Sequence, residues 1–177
     1  MERNIQMSTN TSLRLRRLTL AAILCALVFV ATTYTRIPIW FSGSGYVHLG
    51  DAFIYLAAAL LPMPYACAVG AVGAGLSDLI GYPLYAPATV IIKCLMALFF
   101  SSKAPELLSR RNLGATVPAG IVCVAGYYIY EVILTKSFAA PLASVPFNLA
   151  QAAASALVFI FLSLLLDKLS MKSKILK

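Results

Sequence analysis

The sequence predicts an all-α integral membrane protein, a single six-helix bundle, and three observations carry that prediction. First, 61% of the 177 residues are hydrophobic and 11% are charged, with a mean hydropathy of +0.88. Soluble domains carry about 25% charged residues, so this much apolar surface has no water-soluble core to hide in. Second, apolar runs fall at 18–38, 50–61, 65–80, 86–102, 116–135 and 146–166. Third, the basic residues cluster: Arg3, Arg14, Arg16 and Arg17; Lys103, Arg110 and Arg111; Lys168, Lys172, Lys174 and Lys177. Cytoplasmic loops collect Lys and Arg. If all three clusters are cytoplasmic, an even number of spans separates each from the next.

The elements follow in order. Residues 1–17 form a basic cytoplasmic segment, and RLRR before LTLAAILCALVFVA reads as an uncleaved first helix, not a cleaved leader. Runs 50–61 and 65–80 are short for a span, which needs about 20 residues, and Pro62-Met63-Pro64 divides them. They are either one kinked helix or two. Charge parity requires four spans before Lys103, so they are two. A twelve-residue helix covers about 18 Å of a roughly 30 Å core, so loop residues must descend with helices two and three. Helix four holds Lys93, helix five Glu131, and helix six opens on Asn148 and Gln151. The membrane domain is then 18–167, with a basic cytoplasmic tail at 168–177. Residues 40–50, 81–86 and 136–145 are expected outside. The net charge of +8 is accounted for by topology, without nucleic acid.

Lys93 is the most informative residue. A lysine at a helix centre costs roughly 2.5 to 3.5 kcal/mol on insertion scales, and a chain keeps one that faces a polar cavity or pairs with an acid. Glu131 lies at similar depth, so the two either pair or each hold one polar edge of a ligand. Asp51 and Asp78 flank the same region. Asp51 either accepts from a ligand or caps helix two, where an acid suits the N-terminal dipole. Tyr127 shares a face with Glu131 at i,i+4. With Tyr130, Tyr82, Tyr85 and Trp40 it offers flat surfaces for a ring, or else forms part of the interfacial aromatic belt. Asn148 and Gln151 either read the edges of a heterocycle or bond a neighbouring helix. All these groups fall in the outer half of the spans, the layout of a cavity open to the outside. Gly70, Gly73 and Gly75 permit close helix approach. On helix one, Ala22 and Ala26 form a small-xxx-small pair suited to a partner helix.

Several classes drop out. Cys25, Cys67, Cys94 and Cys123 show no CxxC pairing and read as packing residues. One histidine excludes a His-rich metal site, and no resident metal or cofactor is expected. No HExxH, GxSxG or Walker sequence is present, so the chain is read as a non-enzyme. Any energy for transport comes from a partner or a gradient. A secondary transporter working alone would show an inverted repeat, and none is convincing in six spans.

Three segments resemble the substrate-binding S components of energy-coupling factor vitamin importers, in the branch that takes up riboflavin and hydroxymethylpyrimidine-type compounds. They are Gly45-Tyr46-Val47-His48-Leu49-Gly50-Asp51-Ala52-Phe53; Asp78-Leu79-Ile80-Gly81-Tyr82-Pro83-Leu84-Tyr85-Ala86-Pro87-Ala88-Thr89, continued by Ile91-Ile92-Lys93; and Val145-Pro146-Phe147-Asn148-Leu149-Ala150-Gln151. The last is similar to an I-P-G-N-x-x-Q entry to helix six, with Phe147 at the glycine. The resemblance spans about residues 14–166. It implies a six-helix bundle with a vitamin pocket near the outer face, a transmembrane T component and two cytoplasmic ATPases as partners, and helix one docking the T component, with Ala22 and Ala26 matching that spacing. It implies no particular vitamin: a flavin, a pyrimidine or a pyridine ring all suit these side chains.

Overall fold

A computed structural model of the chain describes residues 2–39 and 45–176. Trp40 lies outside the described residues. The elements run α1 (Glu2–Tyr34), a two-stranded hairpin of β1 (Ile37–Ile39) and β2 (Gly45–Val47), α2 (Gly50–Leu60), α3 (Met63–Gly81), α4 (Ala86–Ala97), α5 (Arg110–Thr135), a 3₁₀ turn at Ala140–Ala143, α6 (Val145–Lys168) and α7 (Met171–Leu176). The strands pair antiparallel, Ile37 opposite Val47. Four helices are long and apolar enough to cross a membrane: Thr11–Tyr34 within α1, then α3, α5 and α6. The all-α membrane bundle of the sequence reading is the fold. Two details differ. The basic N-terminal segment is helical and continuous with the first span, and the basic tail carries the short α7.

The helices close a ring in the order α1, α3, α4, α5, α6, α2, and α2 also packs on α3 and α4. Ten of the eleven α2 residues are buried. A helix apolar all round belongs in the middle of a bundle, and α2 is this bundle's core. Small residues let the ring close around it. A Cβ on Gly73 of α3 would lie 2.8 Å from the Cβ of Val28 of α1, and one on Gly70 would lie 3.0 Å from the Lys93 carbonyl oxygen of α4. The glycines therefore act as packing residues, with backbone meeting backbone. Leu24 and Val28 of α1 are buried, whereas Ala22 and Ala26 are exposed beside Ile23 and Leu27.

Polar side chains tie down the end of the bundle remote from the hairpin. Asp167 of α6 accepts from the amides of Leu107 at 2.8 Å and Leu108 at 2.9 Å. Asn112 Oδ1 accepts from the Ser101 amide at 2.8 Å, and its Nδ2 donates to the carbonyls of Ser101 at 3.0 Å and Leu107 at 2.9 Å. Lys172 of α7 donates to the carbonyls of Ala59 at 2.8 Å and Ala104 at 2.7 Å. The 101–111 and 168–174 basic clusters thus share one end of the bundle. The first cluster joins them, because α7 packs on α1 and the C-terminal end of α1 runs into the hairpin.

Candidate functional site

The hairpin end of the bundle holds a connected set of buried polar groups. It begins with the short helices. Lys93 is seven residues into α4, about 10 Å along the axis, yet it meets Asp51, the second residue of α2. Helix α2 therefore starts deep, and the chain from β2 descends to it, leaving His48 5% exposed and Gly50 buried. That is the descent the short helix demanded, so this part of the 40–50 connection is sunk into the bundle.

Lys93 Nζ lies 2.7 Å from Asp51 Oδ1, and both side chains are fully buried. Lys93 and Glu131 do not pair. Asp51 is not a cap either: Leu49 holds the N-cap position, with no side-chain bond. Two buried charges are tolerable when their remaining lone pairs and protons are also met. Gln151 Nε2 donates to Asp51 Oδ2 at 2.9 Å, and Gln151 Oε1 accepts from the His48 amide at 2.9 Å. Cys123 Sγ sits 3.6 Å from Lys93 Nζ and 3.7 Å from Asp51 Oδ2. The ammonium also lies 5.1 Å from the centre of the Tyr127 ring, close enough for a cation–π contact.

Above this pair is a cavity of about 20 Å³, lined by Tyr46, His48, Asp78, Tyr85, Tyr127, Glu131, Asn148 and Gln151. Six of the eight binding residues singled out in the sequence line it: Asp78, Tyr85, Tyr127, Glu131, Asn148 and Gln151. Lys93 and Asp51 lie beneath as a floor. Two further groups organise the walls. Asp78 accepts from the Tyr46 hydroxyl and from Thr89 Oγ1, the latter at 2.5 Å. Thr89 spends its proton on Asp78, so the Tyr127 hydroxyl, 3.0 Å away, is the donor to Thr89. Opposite, Glu131 accepts from Ser144 Oγ at 2.5 Å and from the Tyr85 hydroxyl at 3.4 Å.

The roof is the hairpin. The Arg36 guanidinium lies 4.4 Å from the Tyr46 ring centre and 4.9 Å from that of Tyr82. It donates to Ser77 Oγ at 2.8 Å and stands 3.8 Å from Asp78. His48 contributes in a defined form. The Gly50 amide donates to its Nδ1 at 3.0 Å, which requires a lone pair there and places the ring proton on Nε2. Burial pushes this imidazole down to about 4, so it is neutral across the physiological range.

Tyr46, His48, Thr89, Ser144 and Cys123 were missed as site residues by sequence reasoning. Signals existed for some. Tyr46 and His48 lie in the GYVHLGD segment, two positions apart. Cys123, Tyr127 and Glu131 recur every four residues, one face of α5. Ser144 precedes α6 and gave no pattern. Chemically the arrangement is suited to recognition. It holds donors and acceptors around an aromatic enclosure, and among the described residues no three His, Cys, Asp or Glu side chains cluster to hold a metal ion.

The chain is 39% identical over 109 residues to a Pyrococcus woesei protein described as "Uncharacterized protein in gap 3'region", a match over 60% of this chain and 72% of that one. The sequence profile of the family described as ECF-type riboflavin transporter, S component, matches residues 12–168, from the first span to the end of α6 and through every site residue named above. That family is one of transporter subunits, not of enzymes, and it couples a small-molecule-binding membrane protein to T and ATPase partners. A multi-pass helical bundle matched over nearly its whole length, this chain belongs to the ECF-type riboflavin transporter S component family.

Proposed function

We propose that this subunit captures a vitamin or vitamin precursor built on a flavin, pyrimidine or pyridine ring at the hairpin end, facing outward, and delivers it inward with a T component and two cytoplasmic ATPases. The observation that carries this reading is the cavity itself. Tyrosines supply flat walls, while the buried Glu131, Asn148, Gln151 and His48 supply hydrogen-bonding edges. Small-molecule sites usually occupy roughly 300–1,000 Å³, so the ring enters by displacing the hairpin roof. Tyr46 and Arg36 are the contacts to be broken. Asp51, Lys93 and Asp78 hold the floor and wall in register. Ala22 and Ala26, exposed on α1, form the face that docks the T component. The basic end of the bundle lies in the cytoplasm, with both termini, so the site opens outside the cell membrane.

The test is direct. The purified subunit, offered riboflavin, a hydroxymethylpyrimidine and pyridoxine in turn, should bind one of them at micromolar or tighter affinity by calorimetry. Glu131→Gln or Asn148→Ala should weaken that binding roughly tenfold, about 1.4 kcal/mol. Uptake into liposomes should require the T component and ATP. Uptake by the subunit alone would overturn the reading in favour of a secondary transporter that works on its own. Topology has its own check: a cysteine replacing Ser109, on a background without native cysteines, should react with a membrane-impermeant thiol reagent only from the cytoplasmic side.

A further inference from the structure

The end of the bundle remote from the vitamin site carries a second cavity, of about 430 Å³, that the proposed function leaves unused. It lies where α2 and α4 end and α5 begins. Lys103 and Arg111 line it together with the hydroxyl-bearing Ser101 and Ser102, and Met63 and Leu98 form an apolar side. Both cations are exposed. The two ion pairs among the described residues are Arg36–Asp78 and Lys93–Asp51, so neither of these cations is neutralised by a carboxylate. Met63 is 57% and Leu98 43% exposed, so the apolar side opens at the surface of the bundle.

The charge balance favours an anion. The C-termini of α2 and α4 contribute about half a negative charge each, and the N-termini of α3 and α5 about half a positive one each, so the helix dipoles cancel. Two full cations remain. One C-terminal carbonyl of α2, that of Ala59, is already engaged by Lys172. An arginine beside a lysine and two hydroxyls is a good receptor for phosphate oxygens, which arginine can hold bidentately. The apolar side then has a purpose that a soluble anion would not give it.

We propose that this cavity binds the headgroup of an anionic phospholipid, with Lys103 and Arg111 on the phosphate and the acyl chains running out over Met63 and Leu98. This rests on the topology proposed above, which puts the basic end at the cytoplasmic leaflet, where anionic lipids concentrate and basic pockets between helices hold their headgroups.

The experiment uses the purified full-length subunit, delipidated in detergent and titrated with phosphatidylglycerol, phosphatidylcholine or inorganic phosphate, with bound lipid read by native mass spectrometry. Phosphatidylglycerol should be retained preferentially. Lys103→Gln with Arg111→Gln should weaken it roughly thirtyfold, while Arg14→Gln with Arg16→Gln, an equal loss of charge on α1, should leave it within about twofold. Lys103→Arg should retain binding, which guards against a folding artefact. Equal loss in both double variants would overturn the site in favour of diffuse surface charge. Equal retention of phosphatidylcholine would overturn charge recognition, and inorganic phosphate competing at the same concentration would assign the cavity to a soluble anion. If the Lys103–Arg111 double variant keeps its lipid but no longer co-purifies with the T component, the cavity is a protein-docking site and the lipid proposal falls. Lipid retention is read without vitamin or uptake, and the Ser109 labelling reports the membrane side separately, so failure here is distinguishable from failure of the functional or topological reading.

Discussion

Replacing Lys93 by Met tests what the buried charge is for. The substitution removes the ammonium that pairs with Asp51 at 2.7 Å and leaves a fully buried carboxylate whose remaining partners among the described residues are the Gln151 amide at 2.9 Å and the weak Cys123 thiol. Breaking a buried pair by deleting one member costs about 3–5 kcal/mol, because the survivor stays charged and unpaired. In a chain of this size 1 kcal/mol moves Tm by roughly 2–4 °C, so Lys93→Met should lower the midpoint by roughly 6–20 °C. Size-exclusion of heated, detergent-solubilised samples would measure it. Lys93→Met with Asp51→Asn should recover most of the loss, since neither residue is then charged. Lys93→Met with Glu131→Leu should recover none, because Glu131 bonds Ser144 and Tyr85 and not Lys93. Ligand binding by the rescued double variant then separates two roles. Near-normal affinity makes the pair a floor that orients Gln151. A loss of more than about tenfold makes Lys93 a ligand contact exposed once the roof opens. The reasoning is refuted if Lys93→Met unfolds at the wild-type temperature, or if the Glu131→Leu combination rescues as well as the Asp51→Asn one.

Further outcomes follow from the same geometry. His48 is held near 4 by burial, below its ordinary 6.5. The folded state therefore resists protonation that the unfolded chain accepts, and stability should be full above about pH 6.5 and fall as pH drops towards 4. At pH 5 this amounts to about 2 kcal/mol; His48→Asn, which keeps an acceptor for the Gly50 amide, should flatten that slope in melts taken between pH 7 and 5. Lys172→Met leaves the Ala59 and Ala104 carbonyls without their donor and should cost about 1.5–3 kcal/mol. Lys174→Met, at an exposed position on the same helix, should cost nothing measurable in the same melt. Ala22→Trp and Ala26→Trp should leave vitamin affinity in the isolated subunit within about twofold and abolish uptake and co-purification with the T component, because a bulky ring prevents close helix approach. Normal uptake by both variants would remove α1 from the docking face.

The sequence by itself determined the class, the six helices of the bundle ring though not the short α7, and the crowded polar end. Composition excludes a soluble core, and an expensive intramembrane lysine announces a buried polar site wherever it falls. The shortness of run 50–61 implied that neighbouring chain must sink into the bundle, and the buried His48–Gly50 stretch is that chain; run 65–80, which also reads as short, is instead the spanning α3, and the shortness of α4 was not legible in its run. Periodicity placed Tyr127 and Glu131 on one face of α5, and both line the cavity. What sequence could not decide was partnership. Lys93 had three acids within plausible reach in depth, and depth along a helix axis says nothing about which neighbouring helix stands opposite. That depended on ring order. Because α2 packs centrally against α3, α4 and α6, Asp51 faces Lys93, while Glu131 on α5 points instead to Ser144 and Tyr85. Tertiary structure also turned Gln151 into a clamp between Asp51 and the His48 amide, and placed Cys123 beside the ion pair instead of among apolar packing. These are contacts between residues far apart in the chain, set by how closely small residues such as Gly70 and Gly73 let the helices approach. Local pattern carries periodicity and cost; only the packed bundle fixes which polar groups meet.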